Sequence, residues 1–453
     1  MTKDKKLEAA LHQVRHFIES LRASSASANV QPLLNPPFAR GGVVVFSYRR
    51  LDGLRLTGKE ADNYRGCLDS LIALHGGNPN IRVMSYGAVE ELFRKTILRV
   101  LRVRRPPGES RDKFERRLDR ELRTLRKGLL AEPKEWRLSI PVHGLASAML
   151  PLTFGGIEFV DGTEAAATSV TAPIVNFRPH PRRAETKVAR EQELLTDDRR
   201  KILEIFKGQP ISSVRVLAMD AGAAERRGLE HVRRVLDILT FYAGYFSLMK
   251  HRYRAFVAPD GKRTDLNWIL CVVETGRCSW GWSSPTILSV SRIDLTSGRA
   301  KEIGLPRVNE MLCRPVPSDL EIRIITALGW AGRAHAEIRR DQAFLLLAVA
   351  LEALLTKATS RAGVTERLCL RVAHLLGKDS QTRKEMYDTV HRLYRIRSVL
   401  VHTGDSTELE DGDLATLEAF VDSAVTTVLV EQPFAGMRTA GEFDKWLDDQ
   451  LLN

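Results

Sequence analysis

The stretch ALGWAGRAHAEIRRDQAFLLLAVALEALLTK, Ala327 to Lys357, decides the fold of the C-terminal third of the chain. Its apolar residues recur every three or four positions, which is the period of an α-helix. We therefore predict one helix from Asp319 to Arg340 and a second from Asp341 to Lys357. The second contains the apolar run AVALEALL, in which Glu352 is the single charged residue.

The same helical period continues to the end of the chain. After Pro317 the sequence contains a single proline, Pro433, so few positions there interrupt a helix. Residues 315–453 are expected to form an all-α bundle with an acidic C-terminal tail. The further predicted helices are Thr365 to Leu376, Ser380 to Val401, Glu410 to Val430 and a short one in GEFDKWLDDQLL.

The fourth of these helices carries the segment HRLYRIRSVLVHTGD, His391 to Asp405, which contains Arg397 and His402. Gly404 is the usual residue at a helix C-terminus. Five helical steps turn the chain by about 500°, so the two side chains point about 140° apart and lie about 7.5 Å apart along the axis. They converge on one groove only if His402 lies where the helix frays.

Arginine and histidine are the side-chain types that cleavage of an RNA phosphodiester needs. One group must take or give a proton, and a fixed cation must stabilise charge on the phosphate. A helix C-terminus also favours the protonated form of His402. The alternative is a surface arginine and a helix-capping histidine with no catalytic role.

The C-terminal segment resembles the HEPN superfamily and, within it, the Apea-like group. The resemblance rests on Trp330, Ala334, Phe344 and the block Leu351 to Leu354 in the stretch quoted above. The strings RLCLRVAHLLG and LYRIRSVLVHTGD also fit. Ser398 stands where many catalytic members carry Asn, Asp or His, although serine is usual in the Apea-like group.

The resemblance implies a homodimer in which two Arg-and-His motifs form one composite cleft. Such domains cleave RNA without a metal or other cofactor and leave a 2′,3′-cyclic phosphate. By analogy, Arg397 stabilises the phosphate and His402 acts as general base or acid. Ser398 and Tyr394 are supporting candidates, with surface and packing roles as alternatives. Glu352 is expected to hold Arg397, as a structural or a catalytic ion pair.

The first 314 residues are predicted to be mixed α/β, which makes the whole chain an α+β multidomain protein. We divide them into an N-terminal region of unknown role, 1–200, and a strand-helix-strand-strand module, 201–314. The predicted helices are Lys5–Arg22, Tyr86–Arg102, Ser110–Leu130 and Ala223–Lys250. The predicted strands are VVVFSY, RLSIPV, LPLTFGGIEFV, ATSVTAPIV, VRVLAMDA, NWILCVVETG and SPTILSVSRIDL, with Trp280 and Trp282 near the turn between the last two.

The charge distribution suits a polyanionic partner. The net charge is +13, yet twelve acidic and two basic residues follow Gly404, so the preceding residues carry a larger positive excess than the chain as a whole. RNA is the expected partner, and a general solubility bias is the alternative. Candidate RNA-binding residues are Arg392, Arg395, Arg116 and Arg120. The last two lie on a helix whose interleaved acids also favour a salt-bridged, solvated face.

Several other classes of protein and site are not indicated. No apolar run reaches about 18 residues, so no membrane span is predicted, and the N-terminus is typical of an amphipathic helix rather than a secretory signal. Five scattered cysteines favour a reduced cytoplasmic setting, although Cys271 and Cys278 are spaced to meet across a hairpin. The sequence contains no phosphate-binding loop, nucleophile elbow or His–Glu–x–x–His metal motif.

The function expected from the resemblance is an endoribonuclease, most plausibly a bacterial antiphage or abortive-infection effector. The N-terminal region would then sense a phage-derived trigger or restrain the nuclease, and transfer RNA is a reasonable substrate. A non-catalytic HEPN module that binds RNA or protein, with the active function in the N-terminal region, is the alternative. A subunit of a toxin–antitoxin pair is a third possibility, which the long N-terminal region disfavours.

Overall fold

The protein is described here by a computed structural model. It describes residues 3–25, 44–45, 55–56, 59–74, 84, 86–101, 110–145, 150–163, 165–168, 206, 208–246, 256–257, 265–271, 278–283, 302–337, 339–356 and 364–451. The chain divides into two compact units, Met1–Leu138 with Arg215–Glu230, and Ser139–Val214 with His231–Asn453. The proposed segments 1–200, 201–314 and 315–453 stay a prediction.

The first unit is built mainly from helices. Its elements are α1 Lys3–Ser25, β1 Val44–Val45, β2 Arg55–Leu56, α2 Lys59–Ala73, α3 Tyr86–Leu101 and α4 Arg111–Leu129. The rings of Phe17, Tyr64 and Phe93 lie in its core, and the last two stack with centroids 5.0 Å apart. The predicted helices in this region are confirmed to within a few residues. Of the predicted strand VVVFSY, the structure describes only Val44 and Val45.

Helix α4 packs its predicted apolar face into this core. That face is buried, and it consists of Phe114, Leu118, Leu122, Leu125 and Leu129. On the charged side, Arg15 of α1 pairs with Glu115 and Asp119, and Arg126 pairs with Glu8 at 2.8 Å. These ion pairs are the salt-bridged pattern that the interleaved acids of this helix indicated.

An antiparallel sheet follows α4. Its strands are β3 Lys134–His143, β4 Leu152–Phe154, β5 Ile157–Val160, β6 Ile211–Ala218 and β7 Phe256–Val257, in the order β4-β5-β6-β3-β7. β4 and β5 form a hairpin at Gly155 and Gly156, whose φ angles of 59° and 74° are ones that glycine adopts without strain. The sequence LPLTFGGIEFV, predicted as a strand, thus forms two strands joined by these glycines. The predicted long helix is α5, Ala221–Phe246.

The predicted strand ATSVTAPIV is wrong where the structure describes it. Residues 165–168 are helical, so Ala167 and Thr168 belong to a helical turn. The Thr163 hydroxyl accepts the backbone N–H of Ala166 at 3.2 Å, which caps this turn. A capped run of alanines favours helix over strand. The rest of the predicted strand lies outside the described residues.

The prediction that Trp280 and Trp282 lie near a turn is also wrong. Both belong to β9, Cys278–Ser283, which pairs antiparallel with β8, Asp265–Cys271. The backbone register pairs Cys271 with Cys278, which confirms that these two positions oppose each other. The pairing continues from Cys278 to Ser283, so both tryptophans lie within the paired part of β9. The predicted strand SPTILSVSRIDL lies outside the described residues.

The C-terminal third is helical, as the apolar period predicted. Its helices are α6 Leu305–Cys313, α7 Asp319–Ala336, α8 Arg340–Leu355, α9 Val364–Leu376, α10 Ser380–Thr403, α11 Asp411–Val430 and α12 Ala440–Leu451. Helix α6 was not predicted. The other six confirm the predictions within a few residues, and none of the helices in the described ranges is long and apolar enough to cross a membrane.

Capping residues set where several of these helices begin and end. Ser318 and Glu321 form a reciprocal capping box at the start of α7, and Asp379 and Thr382 form one at the start of α10. Gly404 closes α10 in the left-handed conformation, with φ of 72°. The predicted terminal glycine is confirmed, and α10 remains helical two residues beyond the predicted end.

A buried arginine connects four helices of the C-terminal bundle. The Arg371 side chain is fully buried, and its guanidinium donates to the Leu355 carbonyl at 2.5 Å, to Asp444 at 2.9 Å and to Asp448 at 2.7 Å. Arg323 of α7 binds both oxygens of Asp444 at 3.1 and 3.0 Å. Helices α7, α8, α9 and α12 therefore meet at one charged centre.

We expect Arg371→Ala to lower the free energy of unfolding by about 3–5 kcal/mol, because it removes a buried partner from Asp444 and leaves a void. Urea unfolding followed by circular dichroism measures this. Arg395→Ala, which removes an exposed arginine paired with Glu408, is the control and should cost less than about 1 kcal/mol. Equal losses for the two variants would contradict the assigned role of Arg371.

Candidate functional site

Helix α10 carries both residues of the predicted catalytic pair, and α8 lies beside it. Arg397 is half-buried, and its Nη2 atom lies 3.3 Å from Oε1 of Glu352 on α8. The structure thus contains the ion pair that was expected between these residues. With one guanidinium edge held by Glu352, the side chain has a restricted direction, which is what a phosphate-binding cation requires.

Burial sets the electrostatics around this ion pair. It raises the pKa of the Glu352 carboxyl above its ordinary value, and the charge of Arg397 offsets part of that rise. Tyr394 is buried, and its hydroxyl donates to the Ala348 carbonyl at 3.1 Å. The pKa of Tyr394 is raised well above its ordinary value, mainly because the side chain is buried and secondly because the negative charge of Glu352 is near. Tyr394 therefore keeps its proton and packs α10 against α8.

His402 and Ser398 are exposed. His402 lies in the last turn of α10, and the backbone N–H of Gly404 donates to the Leu400 carbonyl behind it. Since α10 stays helical through Thr403, His402 does not lie in a frayed end. In the described part of the chain, no hydrogen bond or ion pair joins it to Arg397. Regular helix geometry places the two side chains about 140° apart, so one copy of α10 does not bring them together.

Two predicted RNA-binding arginines on α10 face the region around the start of α11. Arg392 pairs with Asp413 at 2.6 Å, and Arg395 pairs with Glu408 at 3.6 Å. The Arg392 side chain is 48% exposed and that of Arg395 is 68% exposed, so each keeps donors that face solvent. They lie within two turns of Arg397 on the same helix, but helical rotation turns Arg392 about 140° and Arg395 about 160° away from it, so the three side chains do not share one face of α10.

The other two candidates, Arg116 and Arg120, belong to the first unit. Both are exposed on α4, and Arg120 pairs with the neighbouring Glu121 at 3.1 Å. Glu121 is buried, whereas the Arg120 side chain is 59% exposed. Their role in RNA binding stays a prediction.

A second group of polar side chains was not predicted. His335 of α7 lies buried against Glu418 and Asp422 of α11. The sequence signal was weak: one histidine near a helix end, and two acids four residues apart in a distant segment. Only packing of α7 against α11 brings them together.

Comparisons with protein-family models, with curated proteins and with solved structures give no significant match to this chain.

We expect Glu352→Gln to change how stability depends on pH. A carboxyl whose pKa is higher in the folded than in the unfolded state binds its proton more tightly when folded, so wild-type stability falls as pH rises from the ordinary glutamate pKa through the raised one. Glutamine does not titrate, so the variant lacks that fall. Urea unfolding from about pH 4 to about pH 8 measures the difference. Parallel curves would contradict it.

Proposed function

We propose that the C-terminal bundle is a HEPN-type domain and that the protein is a metal-independent endoribonuclease. The observation that carries the proposal is the Arg397–Glu352 ion pair, which holds a half-exposed guanidinium on α10 five residues before an exposed histidine. A directed cation and an imidazole free to exchange protons are the two groups that the reaction needs.

The proposed reaction is an internal transesterification. His402 takes the proton of a ribose 2′-hydroxyl, and the 2′-oxygen attacks the adjacent phosphorus. The bond from phosphorus to the 5′-oxygen breaks, the leaving oxygen receives a proton, and a 2′,3′-cyclic phosphate remains. Arg397 stabilises the negative charge that builds on the phosphate oxygens. Glu352 and Tyr394 act as positioning residues, and Ser398 is the polar neighbour of the cleft.

We propose that the complete site requires a second copy of the chain. Arg397 and His402 point in different directions on one helix. A cleft that contains both an arginine and a histidine is therefore formed most simply from two copies of α10. Helix α8 supports this arrangement, since it keeps an apolar stripe half-exposed beside Glu352. The stripe consists of Leu345, Leu346, Val349 and Ala353. A helix that is apolar all round is normally covered on every side.

The substrate is proposed to be cellular RNA, with transfer RNA as the first candidate to test. Arg392 and Arg395 would bind the backbone beside the cleft, and the positive excess of the chain before Asp405 supports a polyanionic ligand. An antiphage or abortive-infection role, with a phage-derived trigger acting on the N-terminal region, follows from the resemblance to Apea-like HEPN proteins. A cytoplasmic setting is part of this proposal.

The first test measures RNA cleavage by the full chain and by Arg397→Ala and His402→Ala. We expect transfer RNA to be cleaved in the presence of EDTA, leaving cyclic phosphate ends that mass spectrometry detects. Each variant should lose at least about a hundredfold in rate, since each removes a group that acts in the transition state. Circular dichroism in the same buffer checks that the proteins stay folded.

Matched controls are His391→Ala and Lys384→Ala, which remove exposed side chains from the same helix. Both should keep wild-type rates. Equal cleavage by all five proteins would refute the proposed site. RNA binding without cleavage by the wild type would instead support the non-catalytic HEPN module.

The second test concerns assembly. Val349→Glu places a charge in the centre of the apolar stripe of α8, so we expect it to weaken dimerisation and to lower cleavage at equal protein concentration. Sedimentation velocity measures the oligomeric state. Ile322→Glu, at an apolar side chain that is 52% exposed on α7, is the control and should leave both properties unchanged. A wild-type protein that is monomeric and active would exclude the shared site.

A further inference from the structure

Three buried polar side chains from two helices meet inside the C-terminal bundle. His335, in the last turn of α7, is 1% exposed, and Glu418 and Asp422 of α11 are each 6% exposed. The two acids are four residues apart, which places them on the same face of α11. Charged side chains are rarely buried to this degree without a compensating partner. The group therefore needs a specific electrostatic explanation.

The potential ligand atoms are close enough to share one ion. Nε2 of His335 lies 3.0 Å from Oε1 of Glu418 and 3.8 Å from Oδ1 of Asp422, and all three ligand atoms lie within 4.8 Å of one another. Atoms bonded to a tetrahedral Zn²⁺ at about 2.0–2.2 Å are roughly 3.3 Å from each other. The two observed distances from Nε2 lie on either side of that value.

The imidazole itself points to a ligand. Within the described residues neither ring nitrogen of His335 makes a hydrogen bond, although the side chain is almost fully buried. Nε2 lies 3.0 Å from a carboxylate oxygen of Glu418, yet the structure gives it no hydrogen bond. The Phe241 ring stacks on the imidazole, with centroids 5.4 Å apart, and fixes its plane.

Charge favours a divalent cation at this point. Two carboxylates attract a divalent ion, and the ion also accepts the lone pair of Nε2. Nitrogen and carboxylate ligands together suit first-row transition ions such as Zn²⁺ better than Mg²⁺ or Ca²⁺, which prefer oxygen.

We propose that His335, Glu418 and Asp422 bind one divalent transition-metal ion, with Zn²⁺ the ion to test first. The ion joins α7 to α11 inside the bundle, and its burial assigns it a structural role. Asp413, near the start of α11, holds Arg392 of α10, so the ion also steadies the helix that carries the proposed cleft. The site is separate from Arg397 and His402, and it stands whether or not the chain cleaves RNA.

The test is metal content of the purified full-length protein, measured by mass spectrometry after loading with Zn²⁺ and exhaustive dialysis. We expect one ion per chain in the wild type. His335→Ala and Asp422→Asn should each lower zinc affinity by more than about tenfold, and Zn²⁺ should raise the melting temperature of the wild type but not that of these two variants. Asp422→Asn changes little in shape, so it keeps the test valid if His335→Ala does not fold.

Glu321→Gln is the matched control, since it alters a buried glutamate of α7 that pairs with Arg314 outside this cluster. It should retain the wild-type zinc content. A wild type without bound zinc after loading, or equal zinc in all four proteins, would overturn the proposal. So would a wild type whose melting temperature zinc does not raise.

Discussion

The buried guanidinium of Arg371 is the constraint on which the C-terminal bundle depends. A charge with no solvent exposure must have its partners in place, and this one takes the end of α8 and two acids of α12. Arg323 shares Asp444 with it, so α7 is drawn to the same centre. Other arrangements of these helices leave a buried charge unpaired, which disfavours them strongly.

The geometry at the candidate cleft follows from that arrangement. Helix α8 makes three of these contacts. The Leu355 carbonyl at its end accepts a hydrogen bond from Arg371, the Ala348 carbonyl accepts one from the Tyr394 hydroxyl, and Glu352 pairs with Arg397. Two contacts from one helix therefore set the position and rotation of α10. The nuclease proposal needs this rigidity, because a cation stabilises a developing charge only if its position is fixed beforehand.

The bundle thus contains two buried groups of charged side chains, one around Arg371 and one around His335. At Arg371 both terminal nitrogens of the guanidinium donate hydrogen bonds, to the Leu355 carbonyl and to two acids of α12. At His335 two carboxylates approach one imidazole that makes no hydrogen bond in the described part of the chain, and the proposed metal ion would bind all three side chains. A structural metal and metal-free cleavage are compatible, since the cluster shares no residue with the Arg397 and His402 pair.

The sequence by itself determined the helices of the C-terminal third, the terminal Gly404 and, as a prediction, the Arg397–Glu352 pairing, because the apolar period and capping residues act over a few positions. The strand predicted at Ala167 was wrong although the local signals there, a threonine cap and an alanine run, favour helix. Only the tertiary structure decided the acidic partners of Arg371 and the meeting of His335 with Glu418 and Asp422. Those contacts join residues about 70 to 90 positions apart, and helix packing, which no local pattern encodes, sets them.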